Sequence, residues 1–153
     1  MDHSEGGSSI VRTVALGESG IIAGNRGRFY ADLSTTGPTA AGVVARRLAA
    51  KGIVTLDAPP AGGVTGVMTG TSSVMVSGDP VALSELRWVL EAFGRKVVHV
   101  GDHVGQGQAL KLLNNMIVGA NLIAVAEGIL FWMKYGHPAE IILDMLNGTT
   151  ARI

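Results

Sequence analysis

Lys111 and Asn115 are the two residues of this sequence best spaced for work on a polar small molecule. Four residues apart on a helix, they project from the same face, one turn from each other. An amine can give or take a proton, and an amide can hydrogen-bond the same ligand. Gly107, four residues earlier, leaves room on that side for a ligand to approach the nitrogen. The same spacing also suits an ordinary helix with a solvated Lys and capping-type Asn residues, and pairs of this kind are common.

The elements that must position this pair form two kinds of structure. Gly105–Asn115 opens an apolar segment that runs on to Lys134. Counted from Val104 it predicts a helix of about 31 residues, roughly 45 Å long at 1.5 Å per residue. A helix of that length cannot pack wholly on a small sheet, so it must enter a second, helical body. The boundary falls near 101–106, giving units 1–103 and 104–153. Gly136-His137-Pro138 breaks the long helix, and Ala139 to Leu146 forms another before Asn147-Gly148.

Upstream, strands and helices alternate. Ile10–Leu16 reads as a helix broken by Gly17–Gly20, followed by a short apolar contact at Ile21–Ala23 and a turn at 24–27. Arg28–Leu33 is a strand stopped by Ser34-Thr35-Thr36-Gly37-Pro38. A hydroxyl there can cap the next helix, and Pro38 suits its first turn. Thr39–Lys51 is that helix, ended by Gly52. Ile53–Leu56 is a strand of the kind buried on both faces of a parallel sheet. Asp57–Pro60 breaks it and leads to Ala61-Gly62-Gly63, and Gly66–Gly70 is a loose connection. Ser72–Ser77 is a strand, Gly78-Asp79-Pro80 starts the amphipathic helix Val81–Phe93 closed by Gly94, and Lys96–Val100 is the last strand. This alternation with short Gly-rich joins indicates an α/β sheet.

Composition narrows the function classes. With 153 residues, 47% hydrophobic and 16% charged, the chain can build a real core and is not of the disordered type. Twelve basic and twelve acidic residues cancel, and no basic run points to nucleic acid. The absence of Cys excludes thiol chemistry and fits a reducing compartment. Residues 1–9 read as a polar leader or a cut end without a signal-peptide core, so the expected location is cytoplasmic. The most apolar window, Met116–Ala126, is about half the length a bilayer span needs. Asn114, Asn115, Asn121 and Glu127 lie in or beside it, so a buried helix and no membrane is the reading. His99 and His103 have no acidic cluster near them, so no metal is expected; His3 and His137 read as exposed. Glu127 reads as a buried structural group. Met116, Trp132 and Met133 read as helix-packing residues, and Trp88 as packing its helix on the sheet.

Two motifs make a resemblance specific. Asp57-Ala58-Pro59-Pro60-Ala61-Gly62-Gly63 resembles the Asp-Ala-Pro-Val-Ser-Gly-Gly substrate loop of the β-hydroxyacid dehydrogenases, the family of 3-hydroxyisobutyrate dehydrogenase and tartronate semialdehyde reductase. Gly107, Lys111 and Asn115 resemble its Gly-x-x-x-Lys-x-x-x-Asn pattern. Gly78-Asp79, Val100-Gly101 and Leu146-Asn147-Gly148 also follow in order, so the similarity covers about residues 10–153. The resemblance implies the later half of a Rossmann-like nucleotide-binding domain, residues 1–103, followed by a long helix entering an all-α domain, residues 104–153. It also implies NAD or NADP as cofactor and a small hydroxyacid or semialdehyde as substrate. By carry-over Lys111 is the proton donor or acceptor, Asn115 a substrate hydrogen-bonding group, and Gly62 and Gly63 backbone donors to the substrate carboxylate. Ala61 belongs to the same substrate loop, and Thr35 matches a Ser-Thr position beside the nicotinamide ribose.

The family begins with a Gly-x-Gly-x-x-Gly turn that holds the cofactor pyrophosphate. No such turn occurs here, and family members are roughly twice as long, so the chain reads as an internal piece. Ala61 stands where the family usually has a Ser whose hydroxyl contacts the carboxylate. Losing such a donor to a charged acceptor costs roughly 1.5–3 kcal/mol. Pro60 in place of Val removes a further N–H. Two function classes remain: an oxidoreductase, or a non-catalytic module whose long apolar helix drives homo-oligomer formation. For these 153 residues alone, calorimetric titration with NAD and NADP is expected to show weak or no binding, and micromolar binding is the contrary result.

Overall fold

The computed structural model describes residues 6–148. The chain divides into two compact units, one ending at Leu112 and the other starting at Leu113. The first begins with helix α1 (Gly6–Leu16), so the residues from Gly6 on that read as leader are helical; Met1–Glu5, with His3, lie outside the described residues. A 3₁₀ turn at Ile21–Ala23 precedes strand β1 (Phe29–Asp32), helix α2 (Pro38–Ala49) and strand β2 (Val54–Asp57). Then come β3 (Pro60–Ala61), α3 (Gly63–Met68), β4 (Ser72–Gly78), α4 (Pro80–Leu90) and β5 (Gly94–Gly101). Helix α5 (Gln106–Lys134) follows, and α6 (Ala139–Gly148) closes the described chain.

β1 is short and alternates its side chains, and the alternation sets up the layers. Phe29, Ala31 and Leu33 join the cluster of Leu56, Val74, Val76 and the α4 residues Ala82, Leu83 and Leu90. Tyr30 faces the other way, onto Ala15 of α1 and Val44 and Leu48 of α2. The sheet thus lies between α4 on one face and α1 and α2 on the other, a Rossmann-like arrangement. Burial of the Tyr30 hydroxyl, with the Asp32 carboxylate as a second cause, pushes its pKa up to about 12.

The sheet is mixed rather than parallel throughout, which corrects the expectation for β2. β1 pairs with β2 in parallel and β4 with β5 in parallel, but β4 runs antiparallel to both β2 and β3. The connection from β3 to β4, residues 62–71, is too short for a crossover to a parallel neighbour. Residues 66–70, expected as a loose connection, include the end of α3.

Three further expectations change. Trp88 is 76% exposed, because α4 turns Ala82, Leu83, Leu86 and Leu90 to the sheet and Trp88 falls off that face. Gly94 starts β5 instead of closing α4. A Cβ there would stand 2.6 Å from both the Ser72 carbonyl oxygen and Val74 Cγ2, so the close approach of β4 and β5 demands glycine. No hydroxyl caps α2: its N-cap is Gly37, at φ 84°, without a side-chain cap bond. Asp79, by contrast, caps α4 as its position suggests, accepting from the Val81 and Ala82 N–H groups at 2.8 and 2.9 Å.

The second unit holds the rest of α5 and α6. Trp132 pins the turn between them: its ring stacks on His137 at 4.2 Å and its Nε1 donates to the Pro138 carbonyl at 3.0 Å. No described residue of this unit is buried. Glu127 is exposed rather than buried, and Met116 and Met133 are 65% and 49% exposed rather than packed. Two helices have no interior of their own, so these side chains find nothing to pack into. By length and composition alone, α5 is also apolar enough to cross a membrane, unlike the shorter window read from the sequence.

Candidate active site

Lys111 sits in the second turn of α5, so its position follows from how that helix begins. A helix start leaves its first N–H groups without partners. Here the sheet supplies them. The buried Asp57 carboxylate, at the end of β2, accepts from Gly105 N–H through Oδ1 at 2.9 Å and from Gln108 N–H through Oδ2 at 2.7 Å. Ser77 of β4 donates its hydroxyl to Asp57 Oδ1 and accepts from Gly107 N–H at 2.9 Å. The Gln106 N–H reaches the His103 carbonyl at 3.2 Å. A carboxylate at this end of the helix also complements the positive pole of its dipole.

Gly107 therefore serves packing, not ligand access. A Cβ there would come within 2.5 Å of the Met75 carbonyl oxygen and 2.8 Å of Asp57 Oδ2. The residue is buried against the sheet, and the space expected beside the amine is not made by it. Gly105, at φ 106°, takes a conformation open mainly to glycine. The first turn of α5 is thus pressed onto β2 and β4.

Within the first unit, Lys111 lines an open cleft of about 360 Å³ together with Thr35 and Gly63. Leu33, Pro60, Val64, Val67 and Met68 supply the rest of its wall. Three residues singled out from the sequence are thereby brought to one place. Thr35 comes from the loop after the carboxyl end of β1, and Gly63 from the first turn of α3. Lys111 is half-buried, and none of the described ion pairs includes it. Ala61 and Gly62 are not in the cleft wall. Ala61 pairs with Ser73 in the β3–β4 ladder. Gly62, at φ 138°, precedes α3, and a Cβ on it would stand 3.1 Å from Ser72 Oγ. That hydroxyl is buried and has no hydrogen-bond partner among the described residues. Asn115 belongs to the second unit, where it is exposed and its Oδ1 accepts from Asn114 Nδ2 at 3.4 Å.

Nothing local in the sequence signals the roles of Asp57, Ser77 and Gln108. Asp57 stands out as the first residue of the Asp-Ala-Pro motif, which carries no hint of a capping role, and Gln108 only as a polar residue in a Gly-rich run. Their partners lie 20 to 74 residues away. His99 Nε2 lies 3.0 Å from the Gly78 carbonyl oxygen and 3.7 Å from Asp102 Oδ1. Among the described residues no group of three His, Asp or Glu side chains gathers to hold a metal.

Comparison with known proteins gives the site a context. The family model of the NAD-binding domain of 6-phosphogluconate dehydrogenase matches residues 6–101. That of the NAD-binding region of NADP-dependent 3-hydroxyisobutyrate dehydrogenase matches residues 105–153. The chain is 38% identical over 138 residues to 3-hydroxyisobutyrate dehydrogenase of Pseudomonas aeruginosa, covering 90% of this chain and 46% of the relative. It is 32% identical over 146 residues to 2-(hydroxymethyl)glutarate dehydrogenase of Eubacterium barkeri, covering 95% and 48%. The structure of Mycobacterium tuberculosis 3-hydroxyisobutyrate dehydrogenase with L-serine superposes with a TM-score of 0.80 at 34% identity, over 95% of this chain and 49% of that one. The chain spans about half the length of the curated relatives it matches.

The capping carboxylate makes a quantitative claim. Asp57→Ala strands the Ser77 hydroxyl and the Gly105 and Gln108 N–H groups, and is expected to cost about 3 kcal/mol or more of stability. Urea unfolding measures it; a loss below about 1 kcal/mol would contradict this account of how α5 is held.

Proposed function

Because the chain belongs to the family of 3-hydroxyisobutyrate and 6-phosphogluconate dehydrogenases, we propose that it serves an NAD(P)-dependent oxidoreductase reaction. The reaction interconverts a small β-hydroxyacid and its semialdehyde. The observation that carries this reading is the shared cleft, in which Lys111 lies with Thr35 and Gly63. A nicotinamide, when bound, supplies or takes the hydride. The residues present suit that end of the cofactor: Thr35 is exposed on a loop at the carboxyl end of a strand, where dinucleotides bind in such sheets. No Gly-x-Gly-x-x-Gly turn for the pyrophosphate occurs in these 153 residues.

Lys111 handles the proton. In the reducing direction its ammonium gives a proton to the carbonyl oxygen, and in the oxidising direction the free amine takes the hydroxyl proton. The backbone N–H groups of Gly62 and Gly63 hold the substrate carboxylate, without the hydroxyl that Ala61 lacks. Asn115 carries over from the family pattern as a hydrogen-bonding group for the substrate. Val64, Val67 and Met68 give the cleft an apolar side next to the amine.

Self-association through α5 is part of the same proposal. Its apolar residues lie on all sides of the helix, with Leu122, Ile123, Leu130 and Phe131 each more than half exposed. Such a helix is normally covered on every side, and a second copy of this chain offers a matching surface.

Two measurements test these statements. In turnover assays of a longer parent protein that carries this segment, Lys111→Ala is expected to lose about 10²- to 10⁴-fold in kcat while nicotinamide-cofactor binding persists; retained turnover removes Lys111 from the mechanism. In sedimentation the protein is expected to run as a dimer or larger, and a monomer at every concentration would end the self-association proposal.

A further inference from the structure

The loop that carries Thr35 is not held by its own hydroxyls. Thr36 Oγ1 is buried with no hydrogen-bond partner among the described residues, and no side chain of the loop caps α2. Asp32 Oδ1 accepts from the Ser34 N–H at 2.9 Å, and from across the fold the loop is held by Gln108, a fully buried carboxamide on α5. Its Oε1 accepts from the Thr36 N–H at 3.0 Å and from the Gly37 N–H at 3.1 Å. Its Nε2 donates to the Ser34 carbonyl at 2.8 Å. Every polar atom of this side chain is thus spent on backbone flanking Thr35, and its own N–H is tied to Asp57.

We propose that Gln108 is a positioning residue, locking the Thr35 loop to the helix that carries Lys111. It lies three residues before Lys111, about one turn. The two cleft residues therefore come to a common frame through one side chain whose hydrogen bonds go to backbone beside Thr35 and to neither cleft side chain. A carboxamide is the group that fits: the loop offers two donors and one acceptor, and the side chain presents the complement. A carboxylate could answer only the donors, and an apolar chain of the same length neither.

Amide hydrogen exchange on the full chain tests this. In the unaltered protein the Thr36 and Gly37 amides are expected to exchange slowly. In Gln108→Met they should exchange roughly tenfold or more faster, while the Gly105 and Gly107 amides, held by Asp57 and Ser77, keep their protection. In Gln108→Glu, which keeps the acceptor, protection at Thr36 and Gly37 should be largely restored. A merely structural role would instead speed all four amides together, and that outcome overturns the proposal. Rapid exchange at Thr36 and Gly37 in the unaltered protein overturns it as well, whether or not either variant folds. The readout involves no turnover, so its failure is separate from any failure of the dehydrogenase reading.

Discussion

The buried carboxylate of Asp57 is the contact on which the first unit depends. It is fully enclosed, it receives the Ser77 hydroxyl and two N–H groups from the start of α5, and it sits where β2 ends. A charge taken out of water is costly unless it is fully hydrogen-bonded. Here the bonds come from a helix terminus, which both satisfies the carboxylate and supplies a favourable dipole. Without it the first turn of α5 would leave several donors stranded against an apolar sheet.

Close approach is the condition for that bond. Gly107 lets the helix come down onto the Met75 carbonyl and Asp57, and Gly105 bends the chain into position beside Pro38. Any Cβ at 107 would lift the helix away from the carboxylate. The glycines that look in sequence like an opening for a ligand are therefore what brings two backbones together. Open space lies elsewhere, in the cleft whose wall includes Val64, Val67 and Met68 of α3.

The segment Asp57–Gly63 shows a similar exchange of roles. Gly62 and Gly66 are crowded by the Ser72 hydroxyl, which has no partner among the described residues, so their lack of side chains also seats α3 on β4. Ala61 brings no hydroxyl to the segment that pairs with Ser73. Pro60 adds stiffness at the cost of one N–H.

Much was legible in the sequence alone. The β-formers Phe29 and Tyr30 in Arg28–Leu33, the Asp79-Pro80 helix start and the long apolar run to Lys134 are local signals, and each produced the element it implies. The motif residues Asp57–Gly63 and Gly107–Asn115 identified the family, because their order and separation are properties of the chain itself. Only the tertiary structure decided what the polar residues within those motifs do. The direction of β4, the outward turn of Trp88, the capping of α5 by Asp57 and Ser77, and the grip of Gln108 on the Thr35 loop all join segments far apart in sequence. Local propensity records nothing about such partners. A hydrogen bond across 74 residues exists only once the sheet has brought its two ends together.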